Sequence, residues 1–414
     1  MGRHLGASAD VIIAGAGIAG IAAAWGLARR REDWTVLLVD PRPPLSLTSN
    51  RPEANYRNWW PQAAMVELAN RSIDLMADLQ SSGATFAMNQ RGYLYVTADA
   101  ATAERLPARI AEYRGAGLGP AAADLLEPGE IRARFPHLSP GIRGAIHALR
   151  AGSVDTVGLG MAMLEQERGG GIELAEGRVV GVDVGSSGVR SVTVWTPDGL
   201  EQVETSRFVD AAGPWAGDVA LFLGVRLPIE TVLRQKVLMH DPLGVVPRSA
   251  PFTIGLDDRG GRPPGVHIKP DDSVAGDAIK LGWAVDQNPQ PPIEDPACPR
   301  EFPHDVLARA ATIIPGLAAY LDRDPGIIDH DGGFYARTPD GMPLIGPLEV
   351  EGAYALAGLA GFGAMMAPAA GELIAAWILG DDLAGWAADF EPARFSGQYD
   401  RLRTPPGSAP SGEL

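Results

Sequence analysis

The chain has 414 residues, 46% of them hydrophobic, and its 51 acidic side chains outnumber 35 basic ones for a formal net charge of −16. That length and apolar content suit a soluble globular chain of two or three domains or one large composite fold. The acidic balance argues against nucleic acid and anionic membrane surfaces as partners, and the single cysteine, Cys298, excludes an intrachain disulfide framework. No Cys/His cluster suggests a metal site. The residues before Val11 are too few and too polar for a secretory signal, and no apolar run reaches the length of a membrane span. A cytoplasmic location is expected.

The first organised stretch is Asp10–Asp40, DVIIAGAGIAGIAAAWGLARRREDWTVLLVD. Val11–Ala14 has the length and β-branching of a buried strand. Gly15, Gly17 and Gly20 follow at G-x-G-x-x-G spacing, and an Ala-, Leu- and Ile-rich run over about 18–30 has helical character. A second buried-strand signal, 36–39, ends on Asp40. In this order the residues make a dinucleotide site. Gly15 permits a tight turn, Gly17 lets the backbone approach a pyrophosphate, and Gly20 lets the helix pack close to the strand. The helix N-terminus offers free N–H groups to the phosphates, and Asp40 is placed to accept hydrogen bonds from an unphosphorylated ribose. The motif alone fits NAD and FAD equally.

Downstream, the Pro-, Ser- and Asn-rich stretch 41–61 is loop chemistry. A helix is expected over 63–82, with Met65, Leu68, Ile73, Leu75, Met76 and Leu79 as its apolar stripe. A hairpin is expected over 86–98, turning at 90–92. Helices follow near 101–115, 128–135 and 156–166. Strands at 178–184, 191–195 and 205–209 read as a meander with a turn at Pro197-Asp198-Gly199, ending on DAAGPWAG, 210–217. Further strands are expected at 231–240 and 278–284, then a helix over 302–321 interrupted at Pro315-Gly316. A short strand at 353–356 and a helix at 367–379 complete the pattern. The tail 404–414 is expected to be disordered. Gly-rich junctions thus open the chain, recur mid-chain and return near the C-terminus. Three separated segments suit an extended dinucleotide better than one continuous module does.

Four stretches together resemble the D-amino-acid oxidase superfamily of FAD-dependent oxidoreductases. They are the Asp10–Asp40 fingerprint, FVDAAGPWA at 208–216, GGFYARTPDGMPLIGP at 332–347, and GLAGFGAMMAPAAGEL at 358–373. The chain looks most like the branch of monomeric sarcosine oxidase, N-methyltryptophan oxidase, pipecolate oxidase and dimethylglycine dehydrogenase. The resemblance implies a mixed α/β fold. A Rossmann-like FAD-binding domain would be assembled from 8–45, 150–225 and 335–395. A substrate domain with a mostly antiparallel sheet would comprise 46–149 and 226–334. Ile18, Ala19 and Pro41 would join the fingerprint residues around the cofactor. Val179 would offer its backbone to the adenine, and Ala212, Gly213 and Trp215 would pass close by. Gly361, Phe362, Gly363, Ala364 and Met365 would line the flavin.

The same resemblance supplies candidate catalytic residues. Lys280, in AIKLGWAVDQ, is similar to an oxygen-activating lysine, which would stabilise superoxide near the flavin. Arg57, in NYRNWWP, falls where the family pairs an arginine with the substrate carboxylate. Tyr335 matches a tyrosine near the substrate, and His267 falls near another active-site tyrosine. Trp59 and Trp60 would wall the pocket or pack in the core. Four departures follow. Gly333 replaces the cysteine that links flavin covalently, so FAD is expected to be held non-covalently. Met365, Phe362 and Ala284 replace a lysine and two histidines, which implies a more apolar pocket with one cation fewer. The expected activity is oxidation of a secondary amine, N-methyl amino acid or cyclic imino acid to an imine, with O2 reduced to hydrogen peroxide. An amine dehydrogenase with another acceptor, a non-catalytic flavoprotein subunit and an NAD-dependent dehydrogenase are the rival readings.

Overall fold

The strand Val11–Ala14 is buried on both faces, as a continuous apolar run in a parallel sheet must be. Val11 and Ile13 face one apolar core, while Ile12 and Ala14 face another. In the computed structural model this strand sits near the middle of a six-stranded sheet. The order is Leu344–Pro347, Ala353–Ala357, Phe208–Asp210, Val11–Ala14, Val36–Asp40, Ile172–Glu176, and all neighbours are parallel except the first pair. The description covers residues 5–396, apart from 52, 120–121, 168–170, 259–262, 273–275, 286–287 and 323–325. The tail 404–414 lies outside the described residues.

The sheet therefore draws strands from three distant parts of the chain. A three-stranded meander, Arg178–Gly185, Gly188–Thr196 and Gly199–Glu204, covers the face that carries Ile12 and Ala14. The helices Ile18–Ala28 and Gly363–Leu379 cover the other face. Every residue of the first helix is buried, which explains why its sequence is apolar all round. The two helices cross at glycines. A Cβ on Gly26 would collide with the Gly371 carbonyl, and a Cβ on Gly371 would collide with the Ala22 carbonyl. Both helices begin beyond the C-terminal ends of parallel strands, where their N-termini lie side by side. A Cβ on Gly363 would stand 3.4 Å from Ile18 Cγ2.

An eight-stranded sheet forms the second layer. Its order is Ile327–Arg337, Glu230–His240, Ala278–Trp283, Val266–Pro270, Phe252–Gly255, Tyr93–Thr97, Gly144–Ala148, Ala123–Leu126. Only the contact between Phe252–Gly255 and Tyr93–Thr97 is parallel. A small sheet of Asn55–Arg57, Ala151–Val154 and Met88–Asn89 holds the loop after the fingerprint. Glu372 fastens the surrounding helices: its carboxylate accepts two bonds from Arg71, at 2.6 and 2.7 Å, and its carbonyl accepts from Arg30 at 2.9 Å.

The mixed α/β class is as expected, but four local expectations fail. Residues 86–98 form no hairpin. Tyr93–Thr97 is buried throughout and needs a strand on each side, so it pairs with Phe252–Gly255 and Gly144–Ala148, while Met88–Asn89 pairs with Ala151–Val154. The third meander strand is Gly199–Glu204, directly after the Pro197-Asp198-Gly199 turn. The apolar signal at 205–209 belongs instead to the parallel sheet. The last long helix starts at Gly363 rather than 367 and accommodates Pro368 inside it, because burial outweighs local propensity. The 302–321 segment is a helix only over Phe302–Ala310, with a 3-10 turn at Pro315–Tyr320.

The helix crossing can be tested directly. Gly26→Val would push two backbones apart, and should cost about 3 kcal/mol. Thermal unfolding should show the melting temperature lowered by several degrees and the flavin content reduced in parallel.

Candidate functional site

One long cleft runs along the C-terminal edge of the parallel sheet. At one end it is lined by Asp40, Pro41, Arg178 and Val179. In the middle come Gly15, Gly17, Ile18, Ala19, Ala212, Gly213 and Trp215, and at the far end Ala357–Ala360 and Gly363. Gly20 does not reach the cleft. It packs on Gly15, whose carbonyl a Cβ there would strike, so its place in the fingerprint is to let helix and strand approach. Gly15 sits at φ +105, where a side chain would be strained and would meet the Ala211 carbonyl. Asp40 Oδ2 accepts from the Ala16 N–H at 2.8 Å, and Oδ1 from the Arg42 N–H at 2.9 Å. Burial holds this carboxyl above its ordinary value against those two donors. Neither long helix has a side-chain N-cap of its own, so both present N–H groups and positive dipole ends to one space.

A second cavity adjoins the far end of the cleft, and Thr48 lines both. It brings together Arg57, His267, Tyr335, Gly361, Phe362, Ala364 and Met365, residues from four distant stretches of the chain. Arg57 is buried. Its Nη1 donates to the Tyr95 hydroxyl, and its guanidinium carbon lies 4.3 Å from the Trp60 ring centre. Trp60 in turn meets Phe362 edge-on at 4.6 Å, while Trp59 packs on Tyr113 at 4.6 Å. Both tryptophans are buried and neither lines the cavity, and Trp60 supports Arg57 from behind. The Tyr335 ring occupies the space that a side chain on Gly361 would need. His267 Nδ1 faces the Gly265 carbonyl at 2.8 Å, which places the hydrogen on Nδ1.

Two expectations about this cavity change. It is not poorer in cations. Arg51, Arg234 and Lys236 line it beside Arg57, replacing the charge that Met365 lacks. Lys280 does not line it. Its ammonium pairs with Asp271 at 2.8 Å, on the side of the sheet that also carries buried Lys269. Cys298 lies outside the cavity lining, with Sγ 3.2 Å from the position of a Cβ on Gly332. Burial pushes the Cys298 thiol up.

A sequence model of the family described as FAD dependent oxidoreductase (DAO) matches residues 10–377. The chain belongs to this family. Human mitochondrial dimethylglycine dehydrogenase is 24% identical over 408 residues, covering 94% of this chain and 44% of that protein. The chain therefore spans less than half the length of that curated relative. Among solved structures, L-proline dehydrogenase from P. horikoshii superposes with a TM-score of 0.80 at 24% identity, covering 94% of this chain and 98% of that one. Glycine oxidase from Geobacillus kaustophilus gives 0.78 at 22% identity, covering 94% and 99%. At these identities the structures show a shared fold.

The DAO family's cofactor is FAD, and the cleft suits it. Two helix starts without N-cap side chains, three close-packed glycines and a carboxylate at one end fit an elongated dianion with a ribose at its adenine side. Sequence reasoning missed several lining residues. Ser49 Oγ accepts from the Ile18 N–H at 3.0 Å, and lies 3.2 Å from where a Cβ on Gly17 would be. It sits in a stretch that reads only as loop. Arg234 and Lys236 gave a usable signal: two charges, two residues apart, between the apolar pairs Val232-Leu233 and Val237-Leu238. Among the described residues, no group of three or more His, Cys, Asp or Glu could hold a metal ion, and no helix is long and apolar enough to cross a membrane.

Asp40 organises the fingerprint turn as well as facing the cleft. Asp40→Asn removes one of its charge-assisted acceptors, and should weaken FAD about tenfold. The flavin-to-protein ratio after gel filtration, and titration of the apoprotein with FAD, measure this.

Proposed function

We propose that this protein oxidises the C–N bond of a secondary amine, N-methyl amino acid or cyclic imino acid to an imine, with O2 as the final electron acceptor and hydrogen peroxide as the second product. The observation that carries this reading is the buried Arg57 guanidinium, in one cavity with Tyr335 and the Gly361–Met365 turn. FAD, when bound, supplies the acceptor for the two electrons. The residues of the chain supply position and field. Arg57, seated between Trp60 and Tyr95, is held in a fixed orientation suited to a carboxylate. Arg234 donates to the Val285 carbonyl at 2.7 Å, and its guanidinium carbon lies 6.0 Å from the Tyr335 ring centre. It adds a second cation on the same side. Phe252, Trp283 and Phe362 supply apolar walls that limit water around the reacting carbon. Fixing the carboxylate fixes the amine and its α-carbon, which is where orientation lowers the barrier.

A dehydrogenase is the second reading, and one observation favours it. Lys280 is engaged by Asp271 and stands off the cavity, so the cation expected to assist O2 is already paired. The relatives' names span both outcomes: two are dehydrogenases, of dimethylglycine and L-proline, and one is a glycine oxidase. Arg57→Ala should raise KM for carboxylate-bearing amines about a hundredfold and leave the matching esters within about twofold. Equal loss for acid and ester would remove the carboxylate role. Peroxide release by the wild type in air separates oxidase from dehydrogenase, and Lys280→Met should slow that reoxidation only if the oxidase reading holds.

A further inference from the structure

Glu53 is the one acidic side chain among the described residues lining the second cavity. Its side chain is 14% exposed, and neither carboxylate oxygen has a hydrogen-bond partner. A carboxylate in that state is costly unless cations or a ligand answer it. His267 Nε2 faces Oε1 at 3.7 Å, longer than a hydrogen bond. The gap is kept open by Gly282, where a Cβ would strike His267 Nε2 and come within 2.9 Å of Glu53 Oε1. Because Nδ1 is committed to the Gly265 carbonyl, Nε2 is the atom of His267 that can gain a proton. Three further titratable groups act on Glu53 or feel it. Lys269 donates to the Glu53 carbonyl and to Asn55 Oδ1 and Ser153 Oγ. Lys280 is paired with Asp271, and the Tyr93 hydroxyl is held well above its ordinary value by burial. Burial works to raise the Glu53 carboxyl, but His267, Lys269 and Lys280 outweigh it and hold it at about 2.

We propose that Glu53 and His267 form the amine-receiving end of the cavity, so that the substrate class is a zwitterion whose carboxylate meets the arginines and whose ammonium meets Glu53. The amine must lose a proton before its α C–H can be oxidised. In this step one substrate N–H bond breaks and its electron pair stays on nitrogen. The proton forms a new bond to His267 Nε2, and Glu53 balances the imidazolium. No electrons are exchanged. Glu53 is thereby a binding residue for the ammonium and a positioning residue for His267. The inference rests on the amine-oxidation reading and adds a specific proton acceptor to it.

The test is anaerobic rapid mixing of the FAD-loaded enzyme with the fastest reductant from a panel of α-amino acids and their N-methyl forms. The wild type is compared with Glu53→Gln and Glu53→Asp. At about pH 7, Glu53→Gln should slow flavin reduction by at least about tenfold. The gap should narrow steadily toward pH 10, as a growing share of the free amine becomes neutral. Glu53→Asp, which keeps the charge, should recover most of the rate. Binding of acetate, followed by its perturbation of the flavin spectrum, should change by less than about twofold, since it carries no amine. Equal slowing at both pH values, or loss of acetate binding with it, would overturn the proposal in favour of a structural role. If Glu53→Gln does not fold, the same pH comparison on Glu53→Asp decides, with a smaller gap expected and a pH-independent loss overturning it. A Glu53→Gln variant indistinguishable from the wild type overturns this proposal and leaves amine oxidation standing. A wild type that no amine reduces removes both.

Discussion

The geometry of this protein depends on one close crossing of two helices. Ile18–Ala28 and Gly363–Leu379 lie more than 300 residues apart in the chain, yet Gly26, Gly371 and Ala22 bring their backbones into contact. Dispersion and burial favour the contact, and the missing side chains make it possible. Once the crossing is fixed, the two N-termini are fixed too. One faces the fingerprint turn, and the other stands where the cleft meets the second cavity. An extended anionic cofactor needs that fixed spacing between two positive helix ends. The parallel sheet supplies the same spacing independently, since each helix follows one of its strands.

The second layer turns that scaffold into a site. The Gly361–Met365 turn is the start of the C-terminal helix, and it also closes the cavity against the antiparallel sheet. Gly361 has no side chain because the Tyr335 ring stands there, and Gly282 has none because His267 and Glu53 stand there. Absent side chains thus make the room in which charged ones work. The cavity carries charges of both signs. Arg51, Arg57, Arg234 and Lys236 bring cations, Lys236 being matched by Asp331 at 2.7 Å, and Glu53 brings the opposing charge. A molecule carrying both signs is the substrate we propose for it.

Much of the cofactor half was legible in the sequence, because its constraints are local. Gly15, Gly17, Gly20 and Asp40 stand within one βαβ unit, and turn chemistry, helix dipole and ribose contact follow from their spacing. Ala212, Gly213 and the Gly361–Met365 turn were reached through resemblance, and they line the cleft and the second cavity. The catalytic half was less legible because its constraints are non-local. Tyr93–Thr97 follows a turn signal as a hairpin strand would, but its partners lie some 50 and 160 residues away in the sequence. Lys280 matched by position, yet only the fold reveals Asp271 beside it. Glu53 and Ser49 sit in a stretch that reads as loop, and their meaning comes from what packs against them. Met365 in place of a lysine suggested an apolar pocket, and Arg234 and Lys236 bring cations to it from another strand.

The central claim is that the bound flavin takes electrons from a carboxylate-bearing amine. Anaerobic titration of the purified protein with such amines, following the visible flavin band, tests it most directly. The account predicts that at least one secondary amine or amino acid bleaches the band fully, with one equivalent reducing one flavin. A flavin that dithionite reduces but that stays oxidised with every amine and amino acid would contradict it.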